Sequence, residues 1–293
     1  MATTAQWVEG ARPRTFPAAV SPVLAGTGVA VHSDSLVWWK ALLALVVALA
    51  LQVAVNYAND YSDGVRGADE DRVGPMRLVG SGAALPSHVK KAAYAAFGVA
   101  AVAGVVLALT TAWWLLVVGA VAIAAAWNYT GGVRPYGYRG LGEVSVFVFF
   151  GLVAVVGTAY VQVEALTDAV GWVACGVGAL AVAILVANNL RDLPTDALVH
   201  KRTLAVRLGD ARSRSLFATL HAAAYASALV AAWLVSWWLL MAAISVPLSV
   251  RAQSAVRRGA AGSALVPVLR DTGLTELTYA VGLFAGYVAA TLT

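Results

Sequence analysis

An all-α, polytopic membrane fold is predicted, with nine transmembrane helices and the N-terminus in the cytoplasm. Three observations carry this expectation. Hydrophobic residues make up 60% of the 293 residues and charged residues only 12%, about half the charged share of a soluble domain. Apolar runs of roughly 20 residues, long enough to span a bilayer, recur along the whole chain. Basic residues occupy alternate gaps between the runs, the asymmetry that keeps positive loops cytoplasmic.

The runs centre on 15–33, 36–58, 89–110, 112–130, 143–163, 169–190, 214–234, 236–250 and 275–292. Arg12 and Arg14 precede the first, which reads as a helix rather than a cleavable leader because the membrane pattern continues beyond it. Arg66, Arg72, Arg77, Lys90 and Lys91 follow the second run, and Arg134 and Arg139 follow the fourth. Arg191, Lys201, Arg202, Arg207, Arg212 and Arg214 follow the sixth, and Arg251, Arg257, Arg258 and Arg270 follow the eighth. Lys40 alone falls on the opposite side. The seventh and eighth runs meet at Trp233, Trp237 and Trp238 with no clear polar break; such aromatics gather at bilayer interfaces. Cys175 is the single cysteine, so no disulfide forms within the chain and it reads as a small buried hydrophobe. The net charge of +5 is accounted for by topology, and nucleic acid is not an expected partner. The chain reads as one membrane domain over 1–293, with no soluble module, in a bacterial plasma membrane.

Two polar stretches interrupt this pattern, each at the end of an apolar run and on the cytoplasmic side. In the first, Asn56, Asn59, Asp60 and Asp63 stand at i, i+3, i+4 and i+7. If the second helix continues through Asp63, they share one face about two turns long. Carboxylates and amide carbonyls are hard oxygen donors that suit Mg²⁺, an ion often shared between protein carboxylates and substrate phosphates. Gly64 and Gly67 let the chain turn there, Asp69 adds a third carboxylate, and Arg66, Arg72 and Arg77 are placed to meet phosphate oxygens. In the second stretch, Asn188, Asp192 and Asp196 run at i, i+4 and i+8. Pro194 disfavours helix at Leu193, which puts Asp196 just past a break. Lys201 follows in the same loop. A short echo, Asn56-x-x-x-Asp60 and Asn188-x-x-x-Asp192, relates the two stretches. Ionisable clusters at a membrane are expensive, and mark function by default. Together the two stretches form a two-sided clamp, each side bringing one Mg²⁺ to a single diphosphate, where charge on a departing group is neutralised.

The residues now carry a resemblance. Asn59-Asp60-x-x-Asp63 with Asp192-x-x-x-Asp196 resembles the UbiA-type intramembrane prenyltransferases over nearly the whole chain. Within that family the stretch Asp60-Tyr61-x-Asp63-x-x-x-Gly67-x-Asp69-x-Asp71-Arg72-x-Gly74-Pro75 is similar to the branch acting on 1,4-dihydroxy-2-naphthoate. Tyr129-Thr130-Gly131-Gly132, Gly140-Leu141-Gly142-Glu143, Asn188-Asn189-x-Arg191-Asp192 and Arg12-Pro13-Arg14-Thr15-Phe16-Pro17 fit the same branch. Ala197 and His200 depart from it, where Arg and Gly are usual.

The resemblance implies nine transmembrane helices around a central cavity, where Mg²⁺, held by Asn59, Asp63, Asp69, Asn188, Asp192 and Asp196, binds a polyprenyl diphosphate whose tail lies in an apolar tunnel open to lipid. Asn56, Arg66, Arg72, Arg139 and Lys201 are the expected diphosphate contacts, and Asp60, Asp63, Asp192 and Asp196 the expected catalytic set. The allylic cation attacks the electron-rich naphthoate ring, carbon dioxide leaves, and demethylmenaquinone results. Tyr138, Arg139 and Glu143 are candidate acceptor contacts, although Glu143 would also suit a helix N-terminus on electrostatic grounds alone. Three other readings compete. One is a UbiA-type reaction on 4-hydroxybenzoate, homogentisate or a glyceryl phosphate. A phosphatidyl-alcohol transferase needs a second acidic pair in the same segment, which is lacking. A divalent-cation transporter would place its acids near the midplane rather than at helix ends.

Overall fold

A computed structural model describes residues 2–67, 76–199 and 201–293. Asp69, Asp71, Arg72, Gly74, Pro75 and His200 lie outside these residues. The described residues form helices and turns, without strands. In chain order the helices are α1 (Thr4–Ala11), α2 (Phe16–His32), α3 (Trp38–Val65), α4 (Pro86–Leu109) and α5 (Leu115–Asn128). They continue as α6 (Gly142–Val163), α7 (Val170–Leu198), α8 (Leu204–Leu208), α9 (Asp210–Leu234), α10 (Trp237–Arg257) and α11 (Leu265–Thr291). Six of them, α3, α4, α6, α7, α9 and α10, are long and apolar enough to cross a membrane. Every predicted apolar run overlaps one of α2–α7 and α9–α11, and reaches at most three residues past its ends.

The sequence explains the less regular joints. α1 starts from a reciprocal cap in which the Thr3 hydroxyl accepts the Gln6 amide N–H and the Gln6 side chain accepts the Thr3 N–H. Between α9 and α10 the break is Ser236, an extended residue whose hydroxyl accepts the Trp238 N–H at 3.4 Å. A single capping serine, rather than a polar loop, divides the tryptophan-rich stretch. α6 is interrupted by a π-helical segment, Phe147–Val153, a deviation frequent near functional sites. α7 runs unbroken through Pro194 to Leu198, so Asp196 is helical and not past a break. Proline removes only one backbone donor, close to the end of this helix, and the Thr195 hydroxyl donates to the Asp192 carbonyl at 2.9 Å within the same turn.

α7 is the most buried span and forms the central post. α6 crosses it where Gly151 meets Gly178, and a Cβ on Gly151 would come 2.7 Å from the Gly178 Cα. Close backbone approach through small residues is how membrane helices gain packing without a hydrophobic drive. Gly151→Leu is therefore expected to destabilise the fold by at least about 1–3 kcal/mol, seen as a lower Tm in detergent; an unchanged Tm would remove this crossing from the account.

Candidate active site

One large cavity, of about 1050 Å³, opens among α2, α3, α5, α6 and α7. On α3 its wall is the stripe Ala44, Val47, Ala48, Leu51, Gln52, Val55, Asn56, Asn59 and Asp63. That stripe is the i, i+3, i+4 face of one helix, apolar at one end and polar at the other. From Ala44 to Asp63 it runs roughly 28 Å at 1.5 Å per residue. α6 contributes Phe149, Phe150 and Val153, and α7 contributes Leu185, Asn188, Asn189 and Arg191.

The two acidic stretches meet at the polar end. Asp63 is buried; its Oδ1 accepts the Tyr138 hydroxyl at 2.6 Å, and Oδ2 lies 3.6 Å from the Arg77 guanidinium. The Tyr138 ring also receives Lys201, whose Nζ is 5.2 Å from the ring centroid and 3.4 Å from Asp196. A continuous line of contacts, Asp63 to Tyr138 to Lys201 to Asp196, thus joins α3 to the end of α7. Tyr138 sits in a short turn outside the spanning helices. Burial first, and then the Asp63 carboxylate, push its hydroxyl above the usual phenol range, so it stays a neutral donor to Asp63. On α7, Arg191 grips Asp192 with both prongs of its fork, Nε to Oδ1 and Nη2 to Oδ2, each at 2.7 Å. The same Nη2 donates to Asn188 Oδ1 at 2.9 Å.

The structure sorts the remaining candidates. Asn59 lines the cavity and accepts the Thr130 hydroxyl at 2.6 Å. Asn56 also lines it, but its Nδ2 is committed to the Ala11 carbonyl at 2.8 Å and the Thr15 hydroxyl at 3.0 Å. It ties the α1–α2 joint to α3. Glu143 is buried behind the wall, where its Oε1 accepts Asn189 Nδ2 at 3.0 Å.

Three expected contacts lie elsewhere. Asp60, fully buried, turns away from the cavity and accepts the backbone N–H groups of Leu78 and Val79 at 2.8 and 2.9 Å. Arg66 is exposed and donates to the carbonyls of Thr130 and Gly132. Arg139 is exposed and not part of the cavity wall. Tyr61 serves outside the cavity as one of three rings around Lys90.

Asp60 stands at the edge of the helical face that Asn56, Asn59 and Asp63 share, and this is why its carboxylate reaches past the cavity to the segment after Met76. Arg77 belongs to that segment, so Asp60 positions Arg77. Asp60→Ala is expected to cost about 1–3 kcal/mol of stability through two unsatisfied buried N–H groups. Activity should fall by at most about 10²-fold, as for a misplaced contact. Thermal unfolding and kcat/KM together check this; complete inactivation with unchanged Tm would put Asp60 at the chemistry instead.

Sequence reasoning assigned no site contact to Arg14, Thr130, Asn189 or Arg270, reading Arg14 and Arg270 only as charges that set the topology, yet all four line the cavity. Arg191 carried the motif but was assigned no function, although it is the residue that organises Asn188 and Asp192. The signal was available in its place between two motif residues.

Among the described residues, no three Asp, Glu, His or Cys converge tightly enough to hold a metal by themselves. Asn59, Asp63 and Asn188 are hard oxygen donors that line the cavity, whereas Asp192 and Asp196 are not lining residues and are held by Arg191 and Lys201, which are. That chemistry fits a Mg²⁺ whose coordination is completed by phosphate oxygens and water.

The chain matches the model of the UbiA prenyltransferase family over residues 19–264. It is a member of that family. It is 56% identical over 293 residues to the 1,4-dihydroxy-2-naphthoate octaprenyltransferase of Mycobacterium tuberculosis, covering 99% of this chain and 98% of that one. The protein of the same name from Escherichia coli is 37% identical, covering 98% and 97%. The fold also matches a solved UbiA homolog from Archaeoglobus fulgidus bound to GPP and Mg²⁺, with TM-score 0.71 at 14% identity, covering 97% of this chain and 99% of that one. An apo UbiA homolog from Aeropyrum pernix K1 superposes with TM-score 0.71 at 16% identity, covering 91% and 96%. For this UbiA family member the family and the all-helical fold with several membrane-length helices agree with the sequence reading.

Proposed function

We propose that this UbiA family member transfers the polyprenyl group of a polyprenyl diphosphate to 1,4-dihydroxy-2-naphthoate, with loss of carbon dioxide, in menaquinone biosynthesis. The observation that carries the reading is the contact line from Asp63 to Asp196 at the polar end of an otherwise apolar cavity. The near full-length identity to octaprenyltransferases acting on this naphthoate supports the acceptor.

In this reading Arg77, Arg191 and Lys201 meet the diphosphate, with Arg72 from the loop. Asn59, Asp63, Asn188, Asp192 and Asp196, with Asp69, hold Mg²⁺, two ions in all. Bound Mg²⁺ neutralises the charge that develops on the leaving diphosphate. The allylic carbon–oxygen bond breaks and diphosphate keeps the electron pair. Phe149, Phe150 and the aliphatic wall exclude water, and aromatic faces stabilise a cation. The ring carbon bearing the carboxylate then gives its electron pair to the allylic carbon. The bond to the carboxylate breaks, its pair returns to the ring, and carbon dioxide departs. This leaves the quinol form of demethylmenaquinone. Tyr138 stands beside the reacting ends, and Glu143 orients Asn189 at the acceptor's wall. The prenyl tail lies along the α3 stripe.

The chain is a single domain over 1–293. Nine helices, α2–α7 and α9–α11, cross the plasma membrane of a bacterium, with the N-terminus and active site on the cytoplasmic side. Cysteine accessibility from each side, with labels placed beside Arg66 and Asp34, checks the orientation.

The deciding assay supplies Mg²⁺, a polyprenyl diphosphate and a panel of 1,4-dihydroxy-2-naphthoate, 4-hydroxybenzoate and homogentisate. A product of prenyl-added, carboxylate-lost mass is expected from the naphthoate alone. Product from another acceptor only would move the protein to a different branch. EDTA should stop turnover and excess Mg²⁺ restore it; turnover in chelator would remove the metal from the reading.

A further inference from the structure

Where α6 packs on α7 the cavity wall carries an oriented amide. Asn189 lines the cavity and is only 6% exposed. Its Nδ2 donates to Glu143 Oε1 at 3.0 Å. Glu143 is equally buried, and its other oxygen, Oε2, has no hydrogen-bond partner among the described residues. A carboxylate only accepts hydrogen bonds, whereas an amide has a donating end and an accepting end. Glu143 therefore decides which way round the Asn189 amide sits, with nitrogen toward α6 and Oδ1 left for the cavity. Among the described residues none donates to that Oδ1.

Burying a carboxylate with one oxygen unpaired is costly. An apolar residue would serve helix packing better, so the pair is accounted for by what the amide presents. The surroundings of Asn189 suit a flat ring. Leu185, one turn earlier on the same face of α7, lines the cavity with Val146 of α6 and Tyr129. A Cβ on Gly142 would come 3.0 Å from the Tyr129 hydroxyl and 3.3 Å from Leu185 Cδ2, so these elements close on one another. Asn188, the neighbour of Asn189, is a donor assigned to the metal, which puts a ring held here next to the diphosphate. In 1,4-dihydroxy-2-naphthoate the C1 hydroxyl lies beside the carboxylate and hydrogen-bonds within the molecule. The C4 hydroxyl is the one free to donate outward.

From this we infer that Asn189 Oδ1, oriented by Glu143, accepts the C4 hydroxyl of the acceptor and so selects a dihydroxynaphthoate over a ring without that hydroxyl. Asn189 is then a specificity-determining contact and Glu143 a positioning residue behind it. The inference rests on the reading that this cavity joins a prenyl group to a naphthoate. A site built to receive a hydroxyl rejects the analogue lacking it, because the buried polar atom is left unpaired.

The test compares 1,4-dihydroxy-2-naphthoate with 1-hydroxy-2-naphthoate, which lacks only the C4 hydroxyl, in purified wild type, Asn189→Leu and Glu143→Gln, each with Mg²⁺ and a polyprenyl diphosphate. The two rings differ in reactivity to the same degree in every variant, so the change in their kcat/KM ratio reports the contact. In Asn189→Leu the preference for the dihydroxy acceptor should fall at least about ten-fold. Glu143→Gln, whose amide can hold Asn189 by either end, should fall in between. The KM for the dihydroxy acceptor should rise in Asn189→Leu, while the inhibition constant of the analogue and the KM for the prenyl diphosphate stay unchanged. Should Asn189→Leu not fold, the ratio in Glu143→Gln decides alone. A preference unchanged in the variants overturns the inference, as does an equal loss on both acceptors, which would make the pair structural. Wild type that prenylates neither naphthoate would instead overturn the prenyl-transfer reading beneath it.

Discussion

Asp63→Ala and Asp192→Ala are each expected to reduce prenyl transfer by about 10²–10³-fold or more while the protein still inserts and folds. The magnitude follows from what the carboxylates do. Loss of one preorganised group aimed at developing charge, in a site screened from water, costs on that order. The two residues belong to the two motifs on α3 and α7, so the losses should be alike although the positions are far apart in sequence. Asp63 touches Tyr138 and Arg77, and Asp192 touches Arg191. Asp192→Ala also leaves the buried Arg191 guanidinium without its bidentate carboxylate, so its Tm should fall as well, and Asp192→Asn separates that loss from the loss of the carboxylate. Steady-state kinetics with size-exclusion profiles in detergent would decide. Near wild-type turnover in both variants, with Mg²⁺ still required, would show that the metal is held elsewhere.

The second large effect is expected at Arg191, and for a different reason. Its guanidinium reaches two oxygens of Asp192 and one of Asn188 at once. Lysine carries the same charge but lacks the planar fork. Arg191→Lys should therefore lose most of the activity while keeping much of the stability. Arg191→Ala should also destabilise by about 3–5 kcal/mol, because it withdraws the bidentate cation from a buried carboxylate. The separation between the two variants is the test. If lysine restores full activity, charge alone matters and the fork geometry carries nothing.

Much of this was legible in the sequence, and the misses have physical causes. The helices were visible because a bilayer demands long apolar runs and sorts basic residues to one side. The shared face of Asn56, Asn59 and Asp63 was visible because helical spacing is local. Asp60 was misplaced because its partners, the Leu78 and Val79 amides, follow a loop whose path no local pattern gives. Arg66 and Arg139 were misplaced because a long basic side chain at a membrane edge has several acceptable destinations. For Arg66 the carbonyls of Thr130 and Gly132 are the nearest. Pro194 was read as a break because the residue before proline avoids helix, but tertiary packing of α7 overrode that bias. Asn189 stood in the quoted motif, but its place in the cavity wall, held by Glu143, comes from the packing of α6 on α7 and could not be read from local spacing.

Among the described residues, each acid assigned to the metal already has a basic or hydroxyl companion: Arg77 and Tyr138 for Asp63, Arg191 for Asp192, Lys201 for Asp196. Each of these three carboxylates is thus already matched by a cation. Arrival of a magnesium diphosphate then becomes an exchange of counter-ions, in which the guanidinium and ammonium groups swing from carboxylate to phosphate. Affinity for the anionic headgroup should consequently weaken little as salt is raised, since both sides of the exchange are shielded alike.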